Sequence, residues 1–101
     1  MLELRPTCEQ CNQALPPAST DAMICSFECT YCRDCVHVLH NVCPNCGGGF
    51  TARPIRPSKD WRNGNTLDRY PATGKVTYKP VDLAEHAVWA MQLQQLPPER
   101  R

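Results

Sequence analysis

Eight cysteines lie between Cys8 and Cys46, and none follows in the remainder of the chain to Arg101. The order is Cys8-x2-Cys11, thirteen residues, Cys25-x3-Cys29-x2-Cys32-x2-Cys35, seven residues, and Cys43-Pro44-Asn45-Cys46, which divides into four ligand pairs. A CxxC turn aims two sulfurs at one point about 2.3 Å from each, and two such pairs complete the tetrahedral shell of a structural zinc. The eight thiolates therefore suggest two Zn(Cys)4 centres. Four thiolates close the shell against water, so both sites read as structural and no enzymatic activity is expected. Metal binding would then supply folding energy on the order of 10–16 kcal/mol per site.

Intact pairs can combine in three ways. Joining the first with the fourth and the second with the third would crowd Cys25, Cys29, Cys32 and Cys35 around one ion with almost no chain to turn the backbone. The sequential arrangement and the interleaved one both stay open on spacing. A CxxC can also cycle between dithiol and disulfide, but the βαβ setting of a thioredoxin-like site is absent. Release of zinc on oxidation, which would make the protein a redox sensor, is the weaker alternative. His37 and His40, in Cys35-x-His37-x2-His40-x2-Cys43, are read as rim residues rather than substitute ligands.

The elements that must hold these cysteines are few. With 101 residues, two Phe, two Trp and three Tyr, the chain is one small domain short of large side chains. A chain of this size buries only roughly 60–65% of its unfolded surface. The start Met1–Pro6 lacks the cationic and apolar character of a signal peptide, and no apolar run approaches a membrane span, so the expected compartment is the reducing cytoplasm. There, metal rather than disulfide chemistry explains the spacing.

Residues 1–52 form the expected double-zinc module, with a short helix from Cys35 to Asn41 placing Val36, Leu39 and Val42 toward the metals. Residues 53–81 hold Pro54, Pro57, Pro71 and Pro80 and are expected to be extended, with Lys75–Lys79 alternating like an edge strand. Residues 82–101 begin with the capping box Asp82-Leu83-Ala84-Glu85 and predict a helix over 83–96, stopped by Pro97-Pro98. Its apolar stripe is Leu83, Ala87 and Met91, offered to the protein itself, to a second copy or to a partner, and His86 reads as a surface residue.

The cysteine order resembles the RING finger, with Cys in place of the usual His at the fourth position. Glu28-Cys29-Thr30-Tyr31-Cys32-Arg33-Asp34-Cys35 is similar to the stretch around the fifth ligand, and Cys43-Pro44-Asn45-Cys46 to the final knuckle. The resemblance implies a small metal-stabilised α+β fold of RING-like or treble-clef type. It also implies a cross-brace in which Cys8, Cys11, Cys32 and Cys35 hold one ion and Cys25, Cys29, Cys43 and Cys46 the other. Cys29-x2-Cys32-x2-Cys35 also echoes a LIM domain, for which the seven-residue spacer before Cys43 is short. The last knuckle looks like a zinc-ribbon or rubredoxin one too, which keeps iron as a lesser candidate beside zinc. The whole chain further resembles a family of small bacterial cysteine-rich proteins of unknown function, through its Leu-Glu-Leu-Arg-Pro start and Tyr70-Pro71-Ala72-Thr73.

Ubiquitin-ligase activity is disfavoured, because only Pro44 matches the RING carrier-binding positions while Gln10 and Gly47 depart from them. Eleven basic against ten acidic residues give a formal +1. Eight thiolates contribute −8 and two zinc ions +4, taking that charge to −3. Arg5 and Arg33 are candidates to offset it locally. Arg53, Arg56, Lys59 and Arg62, with Trp61 and Tyr70, are a modest nucleic-acid motif, second to a solvated segment wrapping the zinc module. The function read from the sequence is a non-enzymatic protein-interaction or scaffold protein. Nucleic-acid binding and redox sensing are the alternatives.

Overall fold

Three short antiparallel strands, β1 (Ala22–Ile24), β2 (Thr30–Cys32) and β3 (Thr51–Ala52), form a sheet in the order β2-β1-β3. They belong to a computed structural model that describes all 101 residues. Met23 stands opposite Tyr31 on one side and Ala52 on the other. Helix α1 (Arg33–Val38) continues directly from β2, and helix α2 (Leu83–Ala90) comes after a long irregular stretch. The fold is therefore a small α+β one.

The core is built around sulfur. Its twelve-residue cluster contains Cys8, Cys25, Cys29, Cys32, Cys35 and Cys43, packed with Leu15, Ala22, Tyr31, Val36, Leu39 and Phe50. Tyr31 and Phe50 meet edge to face at 5.3 Å. The expected short helix is present but displaced, starting at Arg33 and ending at Val38. His40 and Asn41 follow with φ of 55° and 56°, a left-handed pair that α-helix cannot continue through. Val36, Leu39 and Val42 are buried, and His37 and His40 are exposed.

Arginines hold the irregular segments. Arg53 is buried and donates to the carbonyls of Arg5 (2.8 Å), Leu15 (3.2 Å) and Pro16 (2.9 Å). Arg56 bonds the carbonyls of Tyr70 (2.6 Å) and Leu2 (2.8 Å). Two of the four cations in the nucleic-acid motif are thus committed to backbone. Arg69 lies 5.5 Å from the Tyr70 ring centroid, so that ring already has a cation over it.

The sequence expectation fails in four places beyond residue 70, the last of them His86, which is buried rather than on the surface. Lys75–Lys79 forms no strand, because it meets no strand edge. Its one backbone anchor is Lys79 N–H to Glu9 O at 2.9 Å. The predicted helix over 83–96 ends at Ala90 and tightens into a 3-10 turn at Leu93–Gln95, with Leu96 extended before Pro97 as proline requires. The apolar stripe is not the buried face: Leu83 is 43% and Met91 55% exposed, Ala87 is only half-buried, and the adjoining Val88 is 71% exposed.

The buried positions of α2 are His86 and Ala90, one turn apart. His86, 5% exposed, places Nε2 2.9 Å from the Val42 carbonyl and packs against Trp89 at 5.8 Å. Periodicity favoured the aliphatic residues, but the surface under α2 offers a carbonyl that needs a donor. Asp82 does cap the helix, accepting from the N–H groups of Ala84 (2.9 Å) and Glu85 (3.0 Å). His86→Ala should lower stability by about 1–3 kcal/mol through the orphaned Val42 carbonyl. Val88→Ser should change it by less than about 0.5 kcal/mol. Denaturant unfolding of both variants checks this, and equal losses would overturn the assigned buried face.

Candidate metal centre

The first and last cysteine pairs sit on knuckles with the same hydrogen-bond pattern. Cys8 N–H donates to Gln13 O at 2.8 Å and accepts at its carbonyl from Asn12 N–H at 2.9 Å. At the same offsets, Cys43 N–H donates to Gly48 O (2.8 Å) and its carbonyl accepts from Gly47 N–H (2.8 Å). Asn12 and Gly47 both take left-handed φ, 64° and 78°, conformations that Asn and Gly adopt more readily than most residues. The second pair closes the β1–β2 hairpin, where Glu28 turns with φ 66° and Cys25 N–H reaches Cys29 O at 3.2 Å. The third pair spans the strand-to-helix junction, with Cys32 as the N-cap of α1 and Cys35 in its first turn.

These elements bring the sulfurs of Cys8, Cys11, Cys32 and Cys35 within 4.8 Å of one another. The sulfurs of Cys25, Cys43 and Cys46 form a second group within the same limit. The Cys29 thiol falls outside that limit, although it neighbours Cys25 and Cys43. All eight cysteines are free. Two ligands about 2.3 Å from a tetrahedral centre stand about 3.8 Å apart, the separation found between the Cys11 and Cys32 sulfurs, 3.8 Å. Donor chemistry and spacing both suit an ion of zinc's preference. His37 and His40 are in neither group.

Burial pushes the Cys8 thiol up, but N–H groups of Cys11, Cys32 and Gln10 outweigh it and leave Cys8 below the ordinary thiol range. Cys25 behaves alike: burial is outweighed by donors that include Phe27 N–H, 3.3 Å from its sulfur. The neighbours go the other way. Burial pushes Cys32 up to about 11, and burial with the negative charge of Cys8 raises Cys35 further. Burial likewise raises Cys43 and Cys29, each reinforced by Cys25. Each group thus favours one thiolate and resists ionising its buried neighbours, Cys32 and Cys35 in one and Cys29 and Cys43 in the other, until a cation compensates them.

Glu9 and Gln10, between the first ligand pair, were not singled out as site residues. The buried Glu9 carboxylate accepts from Thr30 N–H in β2 and from Arg5 Nη1 at 3.0 Å. Arg5 also pairs with Glu3 at 3.2 Å, so its charge goes to carboxylates. Arg33 is likewise engaged, donating to Thr20 O at 3.0 Å. The Gln10 side chain imitates a strand partner, donating to Val81 O (3.0 Å) and accepting from Val81 N–H (2.8 Å). Glutamine is an ordinary surface residue, and no local pattern announces this contact across 71 positions. At the last knuckle, an added Cβ on Gly47 would stand 3.3 Å from Leu93 Cδ1 and 3.8 Å from Trp89. Arg101 donates to Asn41 O (2.8 Å) and Gly47 O (3.2 Å), pinning the tail there.

The fold and the paired thiol groups define a small α+β protein with two cysteine clusters fit for metal. The chain belongs to the DUF1272 family, described as proteins of unknown function, whose model matches residues 1–56 and so spans every cysteine. An uncharacterized protein of Rhizobium meliloti (strain 1021) is 49% identical over 81 residues, covering 79% of this chain and 89% of that protein. No solved structure matches the chain.

Metal must displace protons from the raised thiols, and these hold their protons until higher pH, so occupancy is lost as pH falls. Zinc retention measured against a competing chelator should weaken steeply between about pH 8 and about pH 5. A flat profile would show that the thiols are not the ligands.

Proposed function

We propose that the protein is a zinc-stabilised, non-enzymatic interaction module of RING-like, treble-clef character. Cys8, Cys11, Cys32 and Cys35 hold one ion, and Cys25, Cys29, Cys43 and Cys46 hold the second. The observation that carries this is the interleaving of the two sulfur groups: Cys25 groups with Cys43 and Cys46, while Cys32 and Cys35, which lie between them in the chain, group with Cys8 and Cys11. A shell of four thiolates offers no open position for water or substrate, which supports a structural role.

The interaction half rests on α2. Its buried side holds it to residues 42–47 while Leu83, Val88 and Met91 face solvent, an apolar surface fit for a protein partner or a second copy. Engagement of Arg53 and Arg56 by carbonyls makes nucleic acid the weaker alternative. The cytoplasm, where thiols stay reduced, is the compartment that suits such sites.

Elemental analysis with native mass spectrometry should find two zinc ions per chain. Cys32→Ser should lose more than one of them, because β2 then no longer ties the centres together. Retention of one ion would point to sequential pairing, and iron or no metal would overturn the reading. Val88→Glu with Met91→Glu should keep both ions and abolish any self-association that sedimentation detects in the parent. A parent that sediments as a monomer would make a different chain the partner.

A further inference from the structure

Both faces of the segment Lys75–Lys79 are largely open to solvent, with only Thr77 half-buried. Its polar residues Lys75, Thr77 and Lys79 line a cleft of about 420 Å³, while Val76 and Tyr78 stand 54% and 51% exposed. An alternating strand on a protein surface normally turns its apolar set inward. Here backbone anchors fix the facing: Lys79 N–H on Glu9 O and the two bonds between Gln10 and Val81. The anchored backbone places Lys75, Thr77 and Lys79 around one space.

Those donors are unspent. The chain's ion pairs are Arg5 with Glu3 and Arg5 with Glu9, so Lys75 and Lys79 have no carboxylate partner. Glu9, the one carboxylate of the cleft, is already paired with Arg5 at 3.0 Å, an arginine it shares with Glu3. Tyr31 lines the cleft at 3% exposure, and burial, reinforced by Glu9, keeps its phenol protonated and able to donate. The lining also includes Phe27, 65% exposed at the hairpin tip, and Pro44 of the last knuckle. Two free ammonium groups and hydroxyl donors beside an aromatic ring match the chemistry of a phosphate group carrying a flat substituent.

We propose that this cleft binds a small organic phosphate, its phosphomonoester dianion between Lys75 and Lys79 and its attached group against Phe27 and Pro44. Cys29 also lines the cleft, and a zinc centre of four thiolates would carry −2 close by. The rival account is that the lysines only balance that charge.

The test is titration of the zinc-loaded full chain with adenosine 5′-monophosphate, inorganic phosphate and adenosine at constant ionic strength, followed by backbone NMR shifts. The monophosphate should bind saturably, more tightly than inorganic phosphate, with adenosine not binding. The shifts should centre on Arg5, Tyr31 and residues 75–79. Lys75→Gln with Lys79→Gln should weaken binding about tenfold or more, and Phe27→Ser should weaken the monophosphate but not inorganic phosphate. Zinc is measured in every sample. Zinc-loaded protein that binds neither phosphate, shifts that map elsewhere, or a double variant that binds undiminished would overturn the proposal. A double variant that sheds zinc, from a parent that binds no phosphate, would establish the rival account. Missing zinc in the parent would instead count against the metal reading.

Discussion

The core of this protein is built by crowding thiols into two small volumes. Four thiols within 4.8 Å cannot all ionise unaided, because each thiolate raises the next. Backbone N–H donors offset the cost for one sulfur in each group, Cys8 and Cys25. A divalent ion bound in each group would supply the rest. Sulfur makes up half of the twelve-residue core cluster, so stripping metal would act on the core itself and not on an appendage.

Around that core the chain is mostly irregular, and its backbone groups need partners that sheet and helix would otherwise supply. Three arginines meet much of the need. Arg53 gathers carbonyls from residues 5, 15 and 16, Arg56 those of Leu2 and Tyr70, and Arg101 those of Asn41, Gly47 and Leu96. A planar guanidinium presents several donors in a fixed fork, which suits bridging carbonyls from segments that never pair. His86 on Val42 and Gln10 on Val81 do the same with one side chain each. Polar cross-links, rather than a second apolar core, lay residues 53–101 over the cysteine module.

The two positions that depart from the RING carrier-binding pattern acquire local reasons. Gln10 pairs with the Val81 backbone, and Gly47 takes φ 78° beneath Leu93 and Trp89. A basic side chain after the last ligand would meet the tail docked there. Both residues serve contacts within the chain, and what the chain offers outward lies elsewhere, on the exposed side of α2 and along the lysine-lined cleft.

The sequence alone determined what depends on local chemistry. Cysteine spacing marked the four ligand pairs, the run Val36, Leu39 and Val42 marked an inward-facing turn, and Asp82 marked the start of a helix whose cap the structure shows. Each is settled within a few residues by ligand geometry, helical period or an orphaned N–H. Spacing left the sequential and interleaved pairings both open, and the structure groups the first pair's sulfurs with those of the third. Tertiary structure also decided the facing of His86 and the side of Lys75–Lys79 that lines the cleft. Periodicity reports only that a segment has two faces, whereas the choice between them is made by the partner it meets: here a carbonyl at Val42 and a backbone anchor at Glu9, each distant in the chain.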